Sequence, residues 1–168
     1  NATQRIVDST SENIGLLLAN PDISTTSERK RGYELALAKN NITIDQQLIY
    51  YSNQQLGTDA QIDSGYHATR ALIYQGVRAI VATNHLLLLG ALQAIKESGK
   101  KITEDIIIVG FDATDDAQKA VQAGSMLATV AQQPKEMGKV SIEIAKKILA
   151  KEQVDTFIPV KLELITKK

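Results

Sequence analysis

The chain has 168 residues, a length that favours a single domain with a sizeable core. Its 19 basic and 19 acidic residues balance, which argues against a nucleic-acid-binding module, and the absence of cysteine excludes a disulfide framework. The longest apolar run, which contains Leu86, Leu87, Leu88 and Leu89, is interrupted by Gly90 and is too short to span a membrane.

Strands and helices are predicted to alternate along the chain after a short amphipathic segment at residues 3–10. Apolar runs bounded by turn residues predict six strands, at 13–19, about 48–51, 79–83, from Ile106 to the Gly-Phe-Asp at 110–112, 126–131 and 157–165. Helical spacing predicts helices from a capping box at 25–28 to Asn40-Asn41, at 61–75, at 84–98, at 115–122 and from Pro134 to about 151. The polar loop at 53–58 covers no obvious core and is predicted to be mobile.

The run that begins at Ile106 indicates how the strands are arranged. Its first four residues are apolar and β-branched with no alternation, which is typical of a parallel strand covered by helices on both faces. The alternation of the elements then predicts a three-layer α/β/α, doubly wound, mostly parallel sheet of about six strands, similar to flavodoxin. Ligands of such sheets bind outside the carboxyl ends of the strands.

Five residues stand at the predicted strand ends. Arg29 follows the first strand, Asn84 the third, Phe111 and Asp112 the fourth, and Gln132 the fifth. A cationic fork, two amides and a carboxylate supply both donors and acceptors, as a polyhydroxylated ligand requires, and Phe111 could pack against its C–H face. A phosphate site would instead need glycine-rich turns and several cations.

Each of these residues also has a purely structural interpretation. Arg29 could form a surface ion pair with Glu28 or Glu34, and Asn84 could simply cap the helix that follows it. Asp112 could cap the next turn, Phe111 could be a core residue and Gln132 a loop residue. Their common position at one edge of the sheet is what favours the functional interpretation.

The segments STTSERKRGYELAL, DSGYHATRALI, AIVATNHLLLLGALQAIKESG, ITEDIIIVGFD and LATVAQQPKEMG carry a family resemblance over nearly the whole chain. Together they resemble the carboxyl-terminal lobe of periplasmic-binding-protein-like domains, found in sugar-binding proteins and in the effector domains of lactose-repressor-type (LacI/GalR) transcriptional regulators. FDATDDAQKAVQAG and TVAQQPKEMG look most like ribose-binding proteins, whereas ITEDIIIVGFD looks like the regulators.

The resemblance implies a function without catalysis or a cofactor. It places sugar contacts at Arg29, Asn84, Asp112 and Gln132, with Phe111 beside the aspartate, and it implies a cytoplasmic regulator that responds to ribose or a similar monosaccharide. The alternative is an extracellular binding protein of an ABC sugar transporter. The family usually has Asn-Asp where this chain has Asn84-His85. Because His67 is the only other histidine in the sequence, no metal site is predicted at His85.

The resemblance also implies that the chain is a single carboxyl-terminal lobe at residues 1–168. The amino-terminal lobe and the DNA-binding headpiece are expected to lie outside it, so DNA would be contacted only through that headpiece. The helix at 133–151 would pack on the other lobe in the intact protein, and here would repack, swap between copies or stay loosely attached. The four consecutive leucines cannot all face the sheet, so one or two are expected to point outward and to support a homodimer.

Two enzymatic or signalling alternatives fit less well. A phosphoacceptor receiver domain shares the layout but needs an acidic pair after its first strand and a lysine after its fifth, where this chain has Asn20-Pro21 and Gln132. A hydrolase of the α/β class would need a Gly-x-Ser-x-Gly elbow, which the sequence lacks.

Overall fold

The computed structural model describes residues 2–10, 13–52 and 57–167. Four residues of the predicted mobile loop, 53–56, therefore lie outside the described residues. The helices are α1 (Ala2–Val7), α2 (Ser24–Lys39), α3 (Thr58–Tyr74), α4 (His85–Glu97), α5 (Asp115–Ala123) and α6 (Pro134–Leu149), with a 3-10 turn at Gln46–Leu48. The strands are β1 (Ile14–Leu18), β2 (Ile49–Tyr51), β3 (Ala79–Ala82), β4 (Ile107–Phe111), β5 (Ala128–Ala131) and β6 (Glu163–Thr166).

The six strands form one sheet in the order β2-β1-β3-β4-β5-β6. The first five are parallel, and β6 pairs antiparallel with β5, with Thr129 opposite Ile165. The predicted fold class, a mostly parallel doubly wound sheet, is confirmed. The predicted last strand was too long, because residues 157–162 stay out of the ladder and only Glu163–Thr166 pair.

Helices cover both faces of the sheet, so strand side chains are buried whichever way they point. Leu17, Ile80 and Ile108 belong to one cluster, to which α3, α4 and α5 contribute. Leu16, Val81 and Val109 belong to the other, to which α1 and α2 contribute. All five residues of β1 are buried, as expected for a strand with two covered faces.

The predicted capping box of α2 was wrong. The helix begins at Ser24 after Ile23, with no side-chain cap, so Thr25 and Thr26 already lie in its first turn. Thr26 is buried there, which indicates that packing decides where this helix begins. The helix ends at Lys39, and Asn41 adopts a left-handed conformation beyond it, as predicted for that end.

Two other helices differ from the prediction. α3 begins at Thr58, three residues ahead of the predicted 61, and Thr69 and Leu72 are the buried side chains of its second half. α6 begins at Pro134 as predicted, yet none of its residues is buried. That helix does not pack into the core described above.

Candidate functional site

The candidate site lies along the carboxyl edge of the sheet, from the point between β1 and β3 where the strand order reverses to the end of β5. The chain leaves β1 into α2 on one face of the sheet and leaves β3 into α4 on the other face. A crevice opens at the carboxyl ends of two such neighbouring strands, and ligands of doubly wound sheets bind there.

Arg29 bridges this crevice from the second turn of α2. Its Nη1 donates a hydrogen bond to the main-chain carbonyl of Thr83 at 2.6 Å, and its guanidinium carbon lies 3.8 Å from the centre of the Phe111 ring. Burial lowers the pKa of Arg29, and the charge of Asp112 offsets part of that shift. The surface ion-pair interpretation does not hold, because Glu28 pairs with Arg31 and Glu34 with Lys30.

Phe111 therefore has a defined partner. The arginine covers one face of its ring, a cation–π contact that becomes stronger as the groups lose water. A ligand could reach only the remaining ring surface. The stack also restricts where the other guanidinium N–H donors can point.

Asp112 sits in an uncommon backbone conformation. Its φ is 66°, in the left-handed region that aspartate tolerates better than most residues. Its carbonyl accepts a hydrogen bond from the Thr114 amide at 2.7 Å, and its carboxylate oxygen Oδ1 accepts one from Nε2 of Gln132 at 2.5 Å. The side chain does not cap α5, because the Thr114 hydroxyl does so by accepting from the Ala117 amide.

Gln132 lies directly after β5, and its side chain is exposed apart from the contact with Asp112. The two residues share an open groove of about 480 Å³, within the range of small-ligand sites. The walls of the groove are Asp112, Ala113, Thr114, Ala131, Gln132, Pro134 and Met137.

Asn84 behaves as a helix cap. Its Oδ1 accepts from the Leu87 amide at 2.9 Å, and its Nδ2 donates to Gln61 at 3.1 Å. The structural interpretation is therefore realised, and Asn84 does not line the groove. It remains next to Thr83, the residue that holds Arg29, so a contact with ligand stays a prediction.

The leucine run divides between core and surface. Leu87 and Leu88 are buried, and Leu88 packs behind Gly110 of β4. Leu86 is partly buried and Leu89 is 37% exposed. Of the four, only these two could contribute to a subunit interface, and that role stays a prediction.

Three contributors to the site were not anticipated from the sequence. Thr83 acts through its carbonyl group, which no side-chain pattern reveals. Thr114 precedes two aspartates in the first turn of α5, an N-cap signature that could have been recognised. Met137 lines the groove only because α6 starts close to the end of β5, which depends on the path of the chain.

The groups at this edge of the sheet are hydrogen-bonding groups of several kinds. A guanidinium, a carboxylate and a carboxamide lie together with an aromatic ring, which suits a neutral molecule with several hydroxyl groups. Among the described residues, no three His, Cys, Asp or Glu side chains are close enough to share a metal ion. No helix in the described part of the chain is long and apolar enough to cross a membrane.

Comparison with known proteins gives consistent matches. Residues 2–153 match the family described as the periplasmic binding protein domain. The chain is 49% identical over 90 residues, 54% of its length, to the ribose import binding protein RbsB of Haemophilus influenzae. It is 30% identical over 167 residues, 98% of its length, to the HTH-type transcriptional regulator CelR of Thermobifida fusca. A crystal structure from Staphylococcus saprophyticus, assigned as a transcription regulator, superposes with a TM-score of 0.86 at 48% identity over 99% of this chain.

The chain spans only part of each of these proteins. The matches cover 30% of RbsB, 46% of CelR and 60% of the solved structure. The similarity therefore extends to only part of the structure on which the ligands and activities of those whole proteins depend.

Proposed function

The chain belongs to the periplasmic binding protein domain family, and from this premise we propose that it is one lobe of a two-lobed sugar receptor. In this proposal the intact protein is a cytoplasmic transcriptional regulator of the LacI type. A small sugar, ribose or a similar monosaccharide, bridges the two lobes and stabilises a closed state, which changes DNA binding by a separate headpiece.

The observation that carries this proposal is the connected set Arg29, Phe111, Asp112 and Gln132 at the carboxyl edge of the sheet. Each sugar hydroxyl both donates and accepts hydrogen bonds, and this set offers both on flat, oriented groups. Its single cation, Arg29, is partly buried and is already held by a carbonyl and an aromatic ring, which suits a neutral ligand better than a phosphate.

The second lobe is supported by two features of this chain. The groove beside Asp112 is open, so it forms only one wall of a binding cleft. α6 also carries apolar residues that are exposed, including Met137 at 44% and Ile148 at 56%. We propose that the other lobe covers both surfaces in the intact protein.

The alternative is that the lobe belongs to an extracellular sugar-binding protein of a transporter. The 49% identity to RbsB over 90 residues favours it, while the similarity to CelR over nearly the whole chain and the 48% identity to the S. saprophyticus structure favour the regulator. The gene distinguishes them, since a regulator would encode a DNA-binding headpiece upstream and a transporter protein a signal peptide.

We also propose a homodimer formed through the exposed end of the leucine run. Leu89 is 37% exposed on α4, and an apolar side chain on that surface favours association. A monomer by light scattering at high protein concentration would argue against this part of the proposal.

The test of the function is a thermal-shift and calorimetry screen of pentoses, hexoses and their phosphates on the two-lobed protein. Asp112→Ala should reduce affinity for the best sugar about 10- to 100-fold, because a charge-assisted hydrogen bond is worth about 1.5–3 kcal/mol. Asp116→Ala is the matched control, since that carboxylate is exposed on α5 beside Lys119. Unchanged binding in Asp112→Ala would contradict the site, and micromolar sugar binding by the 168-residue chain alone would contradict the need for a second lobe.

A further inference from the structure

His85 contacts Thr114, a residue next to the proposed sugar site. It is the first residue of α4, directly after the capping Asn84, and it is partly buried. Its ring nitrogen Nδ1 lies 3.3 Å from the hydroxyl oxygen of Thr114. The contact joins the beginnings of α4 and α5, which are 29 residues apart in sequence.

Thr114 is the far end of the turn that carries Asp112. The Asp112 carbonyl accepts from the Thr114 amide at 2.7 Å, so the two residues move as one short turn. Gln132 holds the turn at its carboxylate, and His85 holds it at the Thr114 hydroxyl. A left-handed aspartate is less favourable than a right-handed one, and it persists where contacts on several sides fix it.

The two contacts of the Thr114 hydroxyl can be satisfied together. Its hydroxyl oxygen already accepts from the Ala117 amide at the start of α5. The hydroxyl hydrogen remains available for donation to Nδ1 of His85, and in that arrangement the ring proton is on Nε2. An aspartate at position 85, as the family resemblance implies, would accept the same hydrogen but add a second carboxylate beside Asp112.

We propose that His85 is a positioning residue for sugar binding, which fixes the Asp112 turn through Thr114. This inference rests on the proposed function, because the turn matters only if Asp112 contacts the ligand. His85 does not need to touch the sugar itself. Its role is to hold the Asp112 carboxylate, before the ligand binds, in the orientation that accepts hydrogen bonds from the sugar hydroxyl groups.

The test compares His85→Ala with His85→Asn in the two-lobed protein, using ribose as the probe. The Asn side chain can accept from Thr114 in the place of Nδ1, whereas Ala cannot. His85→Ala should weaken ribose binding roughly five- to tenfold, the equivalent of one hydrogen bond, and His85→Asn should stay within about twofold. In a Thr114→Val background, the same His85→Ala change should have little further effect.

A readout without ligand separates positioning from general stability. Hydrogen exchange of the Thr114 amide, measured by NMR on the sugar-free protein, should be faster in His85→Ala than in wild type and in His85→Asn, with an unchanged melting temperature. The ¹⁵N shift of the His85 ring should show an unprotonated Nδ1.

The outcomes distinguish this inference from the proposed function. A wild-type protein that binds no sugar contradicts the proposed function. Sugar binding that is equal in wild type and His85→Ala, or lost equally in His85→Ala and His85→Asn, contradicts only the role of His85. Identical Thr114 exchange in wild type and His85→Ala would overturn it as well.

Discussion

Tyr33 shows how a single side chain couples the fold to pH. It is the largest of the fully buried side chains, on the face of the sheet covered by α1 and α2. Its hydroxyl donates to the Ile14 carbonyl at 2.7 Å, which ties α2 to the beginning of β1. Burial raises the pKa of Tyr33 to about 12, with smaller contributions from Asp45 and Glu34.

This raised pKa predicts a loss of stability at alkaline pH. The unfolded chain ionises its tyrosines near pH 10, while folded Tyr33 keeps its proton to about pH 12. Its contribution is therefore complete below about pH 10 and declines as the pH rises toward 12, by up to about 2–3 kcal/mol.

Urea unfolding between pH 7 and 11.5 should show this decline in wild type and a shallower one in Tyr33→Phe. The variant should also lose about 1 kcal/mol at pH 7, where it lacks the hydrogen bond to Ile14. Tyr74→Phe is the control, because Tyr74 is 94% exposed. The same pH slope in Tyr33→Phe and wild type would show that Tyr33 is not the group responsible.

At the scale of residues, the sequence predicted which side chains lie at the carboxyl edge of the sheet, but it did not predict which of them touch each other. Arg29, Asp112 and Gln132 could be selected because the carboxyl ends of parallel strands meet at one edge. The stack of Arg29 on Phe111 could not, because it depends on the angle at which α2 leaves the sheet. The sequence allowed Asn84 to be either a sugar contact or a helix cap, and the structure shows that it caps α4.

The close contact between α3 and α4 depends on two glycines. α3 and α4 cross where a Cβ added at Gly90 would lie 1.9 Å from the Ile62 carbonyl oxygen and 2.6 Å from the Tyr66 amide. A Cβ at Gly65 would lie 2.4 Å from the Leu87 carbonyl oxygen. Backbone cannot yield as a flexible side chain does, so any larger residue must push the helices apart.

Gly90→Ala should therefore lower the free energy of unfolding by about 1–3 kcal/mol, although alanine is the better helix former. Gly138→Ala in α6 is the matched control, since a Cβ there meets nothing within 4 Å. That variant should be more stable by up to about 1 kcal/mol, because Gly138 lies inside α6. Chemical denaturation measures both, and a stabilising Gly90→Ala would contradict the close crossing.

Element boundaries were predictable where local chemistry decides them and not where packing does. The left-handed Gly124 after α5 and Pro134 at the start of α6 are local signals, and the helix bounds predicted beside them, 122 and 134, lie within one residue of the observed ones. The Thr-Thr-Ser-Glu pattern in α2 was misleading, because burial of Thr26 places the helix start earlier. In the sequence Gly90 was read only as a break in an apolar run. Its packing against α3 could not be recognised, because the residues that it contacts lie more than 20 positions earlier in the chain.

On the scale of the whole molecule, α6 is the part that the lobe does not use. No residue of this 16-residue helix is buried, although Met137, Ile142, Ile148 and Leu149 are all large and apolar. Its positive and negative side chains cluster on the opposite side of the helix, as in a helix that packs on another surface. The proposed second lobe provides such a surface.

A charge on α6 should consequently have little effect on this chain. Ile148→Lys is expected to change its free energy of unfolding by less than about 0.5 kcal/mol, because Ile148 is 56% exposed. Ile95→Lys in α4 is the contrasting variant, since Ile95 is fully buried and a lone charge there should prevent folding. In the two-lobed protein Ile148→Lys should be clearly destabilising, and no effect there would contradict the docking of α6.

The path of the chain around α6 also sets an order of assembly. The antiparallel pairing of β6 with β5 joins residues 131 and 163, with the whole of α6 and its connections between them. Closing a loop of this length costs about 3 kcal/mol of chain entropy before the pairing returns any energy. β6 is also an edge strand whose side chains are exposed or half-buried, so we expect it to pair late as the chain folds and to detach early when the sheet opens.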